Sequence, residues 1–147
     1  MRVMVMIKAN PQSEAGEFPS EPLLADMLKF NEELMKAGVL KGAGGLLPSV
    51  QGKRLVLSGG TRTVIDGPFT ETKELIAGYW IWEVSSMEEA LEWLSRCPNP
   101  DPGTDGVIEI RPMFPDGACG HSADPKLRAE QDRAQSFFTE INRHVNA

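Results

Sequence analysis

With 147 residues, 41% hydrophobic and 24% charged, the chain has the composition of one globular domain able to bury a core without staples, which excludes disordered and fibrous classes. The formal charge of −6 comes without a basic cluster, so nucleic acid is not expected as a partner. Cys97 and Cys119 form no closely spaced framework, and no apolar run approaches the ~18 residues of a membrane span. Together these predict reduced thiols, a cytoplasmic protein and no membrane partner.

Residues 3–7 alternate β-branched residues with methionines, the pattern of a strand covered on both faces, and are too few for a signal peptide's apolar region. Residues 10–19 read as a polar loop. Ser20, Glu21 and Pro22 then open a helix that runs to Gly38. Leu24, Met27, Leu28, Asn31, Leu34 and Met35 share its helical period, which predicts one buried stripe interrupted by Asn31. Residues 39–47 suggest a bent edge strand, because Gly42, Gly44 and Gly45 mark a bulge or the close approach of a backbone or ligand. Residues 53–57 and 62–65 flank Ser58-Gly59-Gly60-Thr61 and predict a hairpin.

Residues 75–84 contain Tyr79-Trp80-Ile81-Trp82, apolar on both alternating faces, and so predict a central strand. Ser85 and Ser86 stand three residues before Glu88 and Glu89, two overlapping capping boxes for a helix carrying Met87, Ala90, Leu91 and Leu94. Proline and glycine over residues 98–103 forbid regular structure, and residues 107–113 form a last strand with Glu109 and Arg111 on one face, placed for a cross-strand ion pair. Asp124-Pro125 caps a terminal helix over about residues 125–145, with Leu127, Ala134, Phe137, Phe138, Ile141 and Val145 near one side.

This order is a split βαβ plan with an inserted hairpin. It gives an α+β fold: a ferredoxin-like antiparallel sheet with two helices on one face and a C-terminal helix beyond. The helices cover one side of a sheet whose central strands are apolar on both, so a second copy is expected on the other side. The expected assembly is a homodimer with a cavity between sheets, where the terminal helix can also dock.

Asp66-Gly67-Pro68 reads first as a turn, in which the Asp side chain accepts backbone N–H groups, Gly takes an unusual dihedral and Pro sets the exit. The functional alternative clusters Asp66, Glu71, Lys73 and Glu74 with Arg111 at the cavity mouth, where burial would shift their titration. Tyr79, Trp80 and Trp82 are core residues first and ligand-stacking residues second. Arg96 is placed to lower the Cys97 pKa, but no base stands beside the thiol. His121 and His144 have no metal-ligand spacing, and no glycine run has a phosphate-loop ending, so neither a metal nor a cofactor is expected.

The string Asp66-Gly67-Pro68-Phe69-Thr70-Glu71-Thr72-Lys73-Glu74, with Gly78-Tyr79-Trp80, residues 88–93 and Glu109-Ile110-Arg111-Pro112, resembles the DGPF subgroup of the YCII-related family over residues 1–114. Residues 115–147 fall outside the resemblance as a C-terminal extension. The resemblance implies a dimeric α+β barrel. Some relatives look like small hydrolytic or dehydrochlorinating enzymes using a His and an Asp, and those positions fall near Met27 and Cys97 here, so that dyad chemistry is not carried over. No reaction is legible in the residues. The leading expectation is a small-molecule-binding protein using Lys73, Glu74, Tyr79, Trp80 and Arg111. The alternatives are a cofactor-free acid–base enzyme with Asp66 or Glu71 as base, and an accessory protein in transcriptional or stress regulation, since family relatives occur beside sigma-type factors.

Overall fold

The computed structural model describes residues 1–115, 120 and 122–145, so the expectations for Cys119 and His121 lie outside the described residues, as does the side chain of His144. Strand β1 (Arg2–Lys8) runs between β5 (Ile76–Glu83) and β6 (Ile108–Pro112), and β2 (Leu40–Gly45) pairs with the far side of β5, all antiparallel. The resulting order β2-β5-β1-β6 is the ferredoxin-like α+β arrangement expected from the element sequence.

The strands apolar on both faces hold the middle of the sheet. Register places Val3 opposite Trp82 and Val5 opposite Trp80, so these four side chains share one face, and Met4, Met6, Tyr79 and Ile81 share the other. Helix α2 (Glu21–Lys36) and helix α3 (Met87–Leu94) cover the first face, where Phe30, Leu34 and Ala90 join the strand residues in one buried core. Phe30, Trp80 and Trp82 meet at centroid separations of 5.9 to 6.2 Å, two of the three contacts edge to face.

Helix α2 starts as expected, with the Ser20 hydroxyl accepting the Leu23 N–H. It ends in a Schellman arrangement: Gly38 takes φ +71°, its N–H reaches the Met35 carbonyl, and the Val39 N–H reaches the Leu34 carbonyl. The buried stripe differs from the expected one. Leu34, Phe30 and, half-buried, Leu23 and Met27 face the sheet, whereas Leu24, Leu28 and Met35 are exposed. The apolar surface of α2 is wider than one sheet face covers, and Phe30 draws the helix round onto the tryptophans. Asn31 sits at the boundary of the two stripes.

The loop before α2 contains a short helix α1 (Pro11–Glu14), closed by a capping box between Asn10 and Ser13 that the polar composition concealed. At α3 the Ser86 hydroxyl accepts the Glu89 N–H, and the Glu89 carboxylate accepts from the backbone N–H and hydroxyl of Ser85. These bonds from Ser85 hold the Glu89 carboxyl below its usual range.

Strands β3 (Lys53–Ser58) and β4 (Thr61–Asp66) form a separate two-stranded ribbon, all twelve residues exposed, Leu55, Val56, Leu57, Val64 and Ile65 among them. Helix α4 (Pro125–Val145) likewise leaves Leu127, Phe137, Phe138 and Ile141 exposed. Among the described residues, no helix is long and apolar enough to cross a membrane.

Candidate functional site

The Asp-Gly-Pro-Phe string is a clasp between the ribbon and the 3-10 turn Ser49–Gln51. Gly67 donates its N–H to the Gly52 carbonyl at 3.0 Å, and Phe69 donates its N–H to the Ser49 hydroxyl at 3.0 Å. That hydroxyl donates in turn to the Glu14 carboxylate, which also accepts the Ser49 N–H at 3.1 Å. The Arg54 guanidinium lies 3.9 Å over the Phe69 ring.

Two details differ from the turn expected here. Gly67 has no left-handed dihedral, and is required instead because an added Cβ would stand 1.7 Å from the Ser49 carbonyl oxygen. The Asp66 carboxylate, across the ribbon from Lys53, takes that residue's ammonium at 2.5 Å in an exposed pair.

The other charged candidates are dispersed. Glu71, Lys73 and Glu74 are exposed on and beside the 3-10 turn Thr72–Glu74, where the Glu74 N–H reaches the Glu71 carbonyl. Arg111 is exposed on β6 opposite Met4, on the face away from the helices. Its strand neighbour Glu109 makes the expected cross-strand ion pair, with Lys8 on β1 at 2.7 Å. The Lys8 hydrogen bond and charge hold the Glu109 carboxyl below its usual range, with a smaller pull from Arg111.

Two of the candidates, Tyr79 and Trp80, border one cleft, although as strand neighbours their side chains lie on opposite faces of the sheet. This cleft of about 380 Å³ is also lined by Ile7, Asn31 and the small residues 43–45 and 77–78, where β2 ends and β5 begins beside α2. The Trp80 indole N–H donates to Asn31 Oδ1 at 2.9 Å. The Tyr79 ring lies across Gly44, where a Cβ would stand 2.8 Å from ring carbon Cε1, so glycine is what lets the ring lie there. The floor is therefore backbone and methyl groups, the Trp80 indole and the Asn31 amide stand on the helix side, and the Tyr79 ring lies on the opposite face of the sheet. Sequence reasoning passed over Asn31, although a lone amide in an apolar stripe was its signal. The glycines of β2 were read as a place of close approach, and the cleft lies against two of them.

Met27 and Cys97, where the resemblance places a His and an Asp, pack half-buried against the core and are not among the residues lining the cleft. Arg96 turns to the Trp93 ring and to Glu33 instead of activating its neighbour. Burial pushes the Cys97 thiol up to about 11. In a Cys119→Ser background, iodoacetamide at pH 8 is therefore expected to alkylate Cys97 roughly 200-fold more slowly than a free cysteine, the ratio of thiolate populations. A rate within threefold of the free amino acid contradicts this.

A model of the YCII-related domain matches residues 1–115. An uncharacterised protein of Rhizobium meliloti (strain 1021) is 33% identical over 93 residues, which span 63% of this chain and 74% of that protein. Among solved structures, the 5-chloro-2-hydroxyhydroquinone dehydrochlorinase of Burkholderia phenoliruptrix, in complex with 2,5-dihydroxybenzoquinone, aligns with a TM-score of 0.45 at 16% identity, over 83% of this chain and 96% of that one. With the domain match spanning β1 to β6 and α1 to α3 among the described residues, the chain belongs to the YCII-related family.

Proposed function

We propose that this protein binds a small molecule in the cleft between α2 and the meeting ends of β2 and β5, and does so as a homodimer. The observation that carries the reading is the cleft itself: about 380 Å³, bordered by Trp80 and Ile7 beside α2, with Asn31 held in place by the indole. The cleft is open to solvent on one side, its volume lies near the lower end of the range that small-ligand pockets occupy, and a mainly apolar lining with an oriented polar group is their usual composition. The second copy is supported by the sheet face opposite the helices, where Met4, Met6, Tyr79 and Ile81 adjoin.

Binding is tested by titrating a fragment library while following tryptophan fluorescence and backbone amide shifts. Hits are expected to move the Trp80 indole resonance and to weaken at least tenfold in Gly45→Leu. That substitution fills the cleft without strain, because a Cβ on Gly45 meets no atom within 4 Å. Hits that survive Gly45→Leu unchanged sink the reading. Sedimentation at micromolar concentration is expected to give the mass of a dimer, and a monomer removes that part.

A further inference from the structure

Resting on the homodimer proposed above, we infer that each copy lays helix α4 across the β3–β4 ribbon of the other, a contact made twice about the two-fold axis. Neither element is complete alone. A two-stranded ribbon needs further strands or a packed helix to be stable in water, and a helix draws most of its stability from burying an apolar face. Within one chain both leave their apolar side chains exposed, and a second copy supplies to each what it lacks.

The two surfaces match in kind and in size. Strand register puts Lys53, Leu55, Leu57, Arg62, Val64 and Asp66 on one face of the ribbon, and its apolar middle, Leu55, Leu57 and Val64, is 54 to 63% exposed. The other face is mostly polar, with Arg54 turned over Phe69 of the clasp. On α4, Leu127, Ala134, Phe138 and Ile141 recur at the helical period with Phe137 beside them, a stripe ~20 Å long. Paired strands lie about 5 Å apart, so one helix of ~10 Å diameter covers the ribbon's width. The start of α4 is already fixed, with the Ser122 N–H donating to Gln131 Oε1 at 3.1 Å and the Lys126 N–H to Asp124 Oδ1 at 2.9 Å.

Charge selects this pairing over helix against helix. Arg62 borders the apolar middle of the ribbon, and Glu130 stands four residues before Ala134, beside the helix stripe. Among the described residues neither takes part in an ion pair within the chain. With α4 on the ribbon they pair at the edge of the contact, whereas two α4 helices packed together leave Arg62 alone and the ribbon bare. Residues 113–124 separate β6 from α4 and can span ~40 Å, enough to cross to a neighbouring copy.

Cross-linking between copies reads the exchange. In a Cys97→Ser, Cys119→Ser background, Leu57→Cys and Phe138→Cys place thiols on the ribbon and on the helix, both at exposed positions. Mixed, with one carrying an affinity tag, the two variants are expected to give at least tenfold more bismaleimide-linked dimer than either alone. Arg62→Glu on the Leu57→Cys chain is expected to cut that yield at least fivefold, and Glu130→Arg on the other chain to restore it to within twofold.

Phe138→Cys linking to itself as readily as to the ribbon overturns the inference. So does a chain carrying both cysteines that links only within a monomer. A dimer in sedimentation without mixed linking overturns the exchange and leaves the homodimer intact, and a monomer without linking overturns both.

Discussion

Gly67→Ala is expected to cost ~3 kcal/mol or more and to lower Tm by roughly 10 °C or more, the largest effect of any glycine-to-alanine change here. The new Cβ would meet the Ser49 carbonyl oxygen at 1.7 Å, its carbon at 2.6 Å and Val50 Cα at 3.2 Å. All three are backbone atoms, so no rotamer change relieves the overlap. The turn must separate from the string, and with it go the Gly67 N–H to Gly52 bond and the Phe69 N–H to Ser49 bond. Glu14 then loses the register of its anchor, because it holds the same serine. Gly60→Ala is the control: its Cβ would meet nothing within 4 Å, and its cost is expected below ~1 kcal/mol. Paired thermal melts decide the matter, and equal melting of the two variants removes the clasp as the explanation of Gly67.

The same string shows what could be read in advance and what could not. Elements whose signals are local were legible: Ser20 and Ser86 cap their helices, Gly38 closes the first, and Gly59-Gly60 turns the ribbon. The central places of β1 and β5 followed from side chains apolar on both faces. What escaped depends on partners far along the chain. Glu14 and Ser49 are 35 residues apart, and Asn31 and Trp80 are 49 apart. No periodicity encodes which amide a given indole will reach. Even within α2 the period showed an apolar helix without showing which side the sheet would take, and Phe30 decided it. The charged residues of the string stood out in sequence because they are many, yet they are solvated. Beside Ile7, Tyr79 and Trp80, the cleft is lined by glycine, alanine and one asparagine, which carry little signal alone.

The tryptophans themselves give the second large expectation, and it is one of rank. Trp82 is fully buried and its indole N–H finds no hydrogen-bond partner among the described residues. Trp82→Ala empties the centre of the core and is expected to cost ~3–5 kcal/mol. Trp82→Phe behaves differently, because the lost ring volume is offset by removing an orphaned donor whose burial costs ~1–3 kcal/mol, and the net change is expected within ~1 kcal/mol of zero. Trp80 has the opposite balance. Its indole is bonded to Asn31, so Trp80→Phe loses volume and also strands the amide oxygen that faced it. Trp80→Phe is therefore expected to destabilise more than Trp82→Phe, although Trp80 is the more exposed of the two at 5% against 0%. Urea unfolding of the three variants reads this directly. If burial alone governed the core, Trp82→Phe would be the costlier aromatic exchange, and that order would show that the Asn31 bond contributes nothing to holding the wall of the cleft.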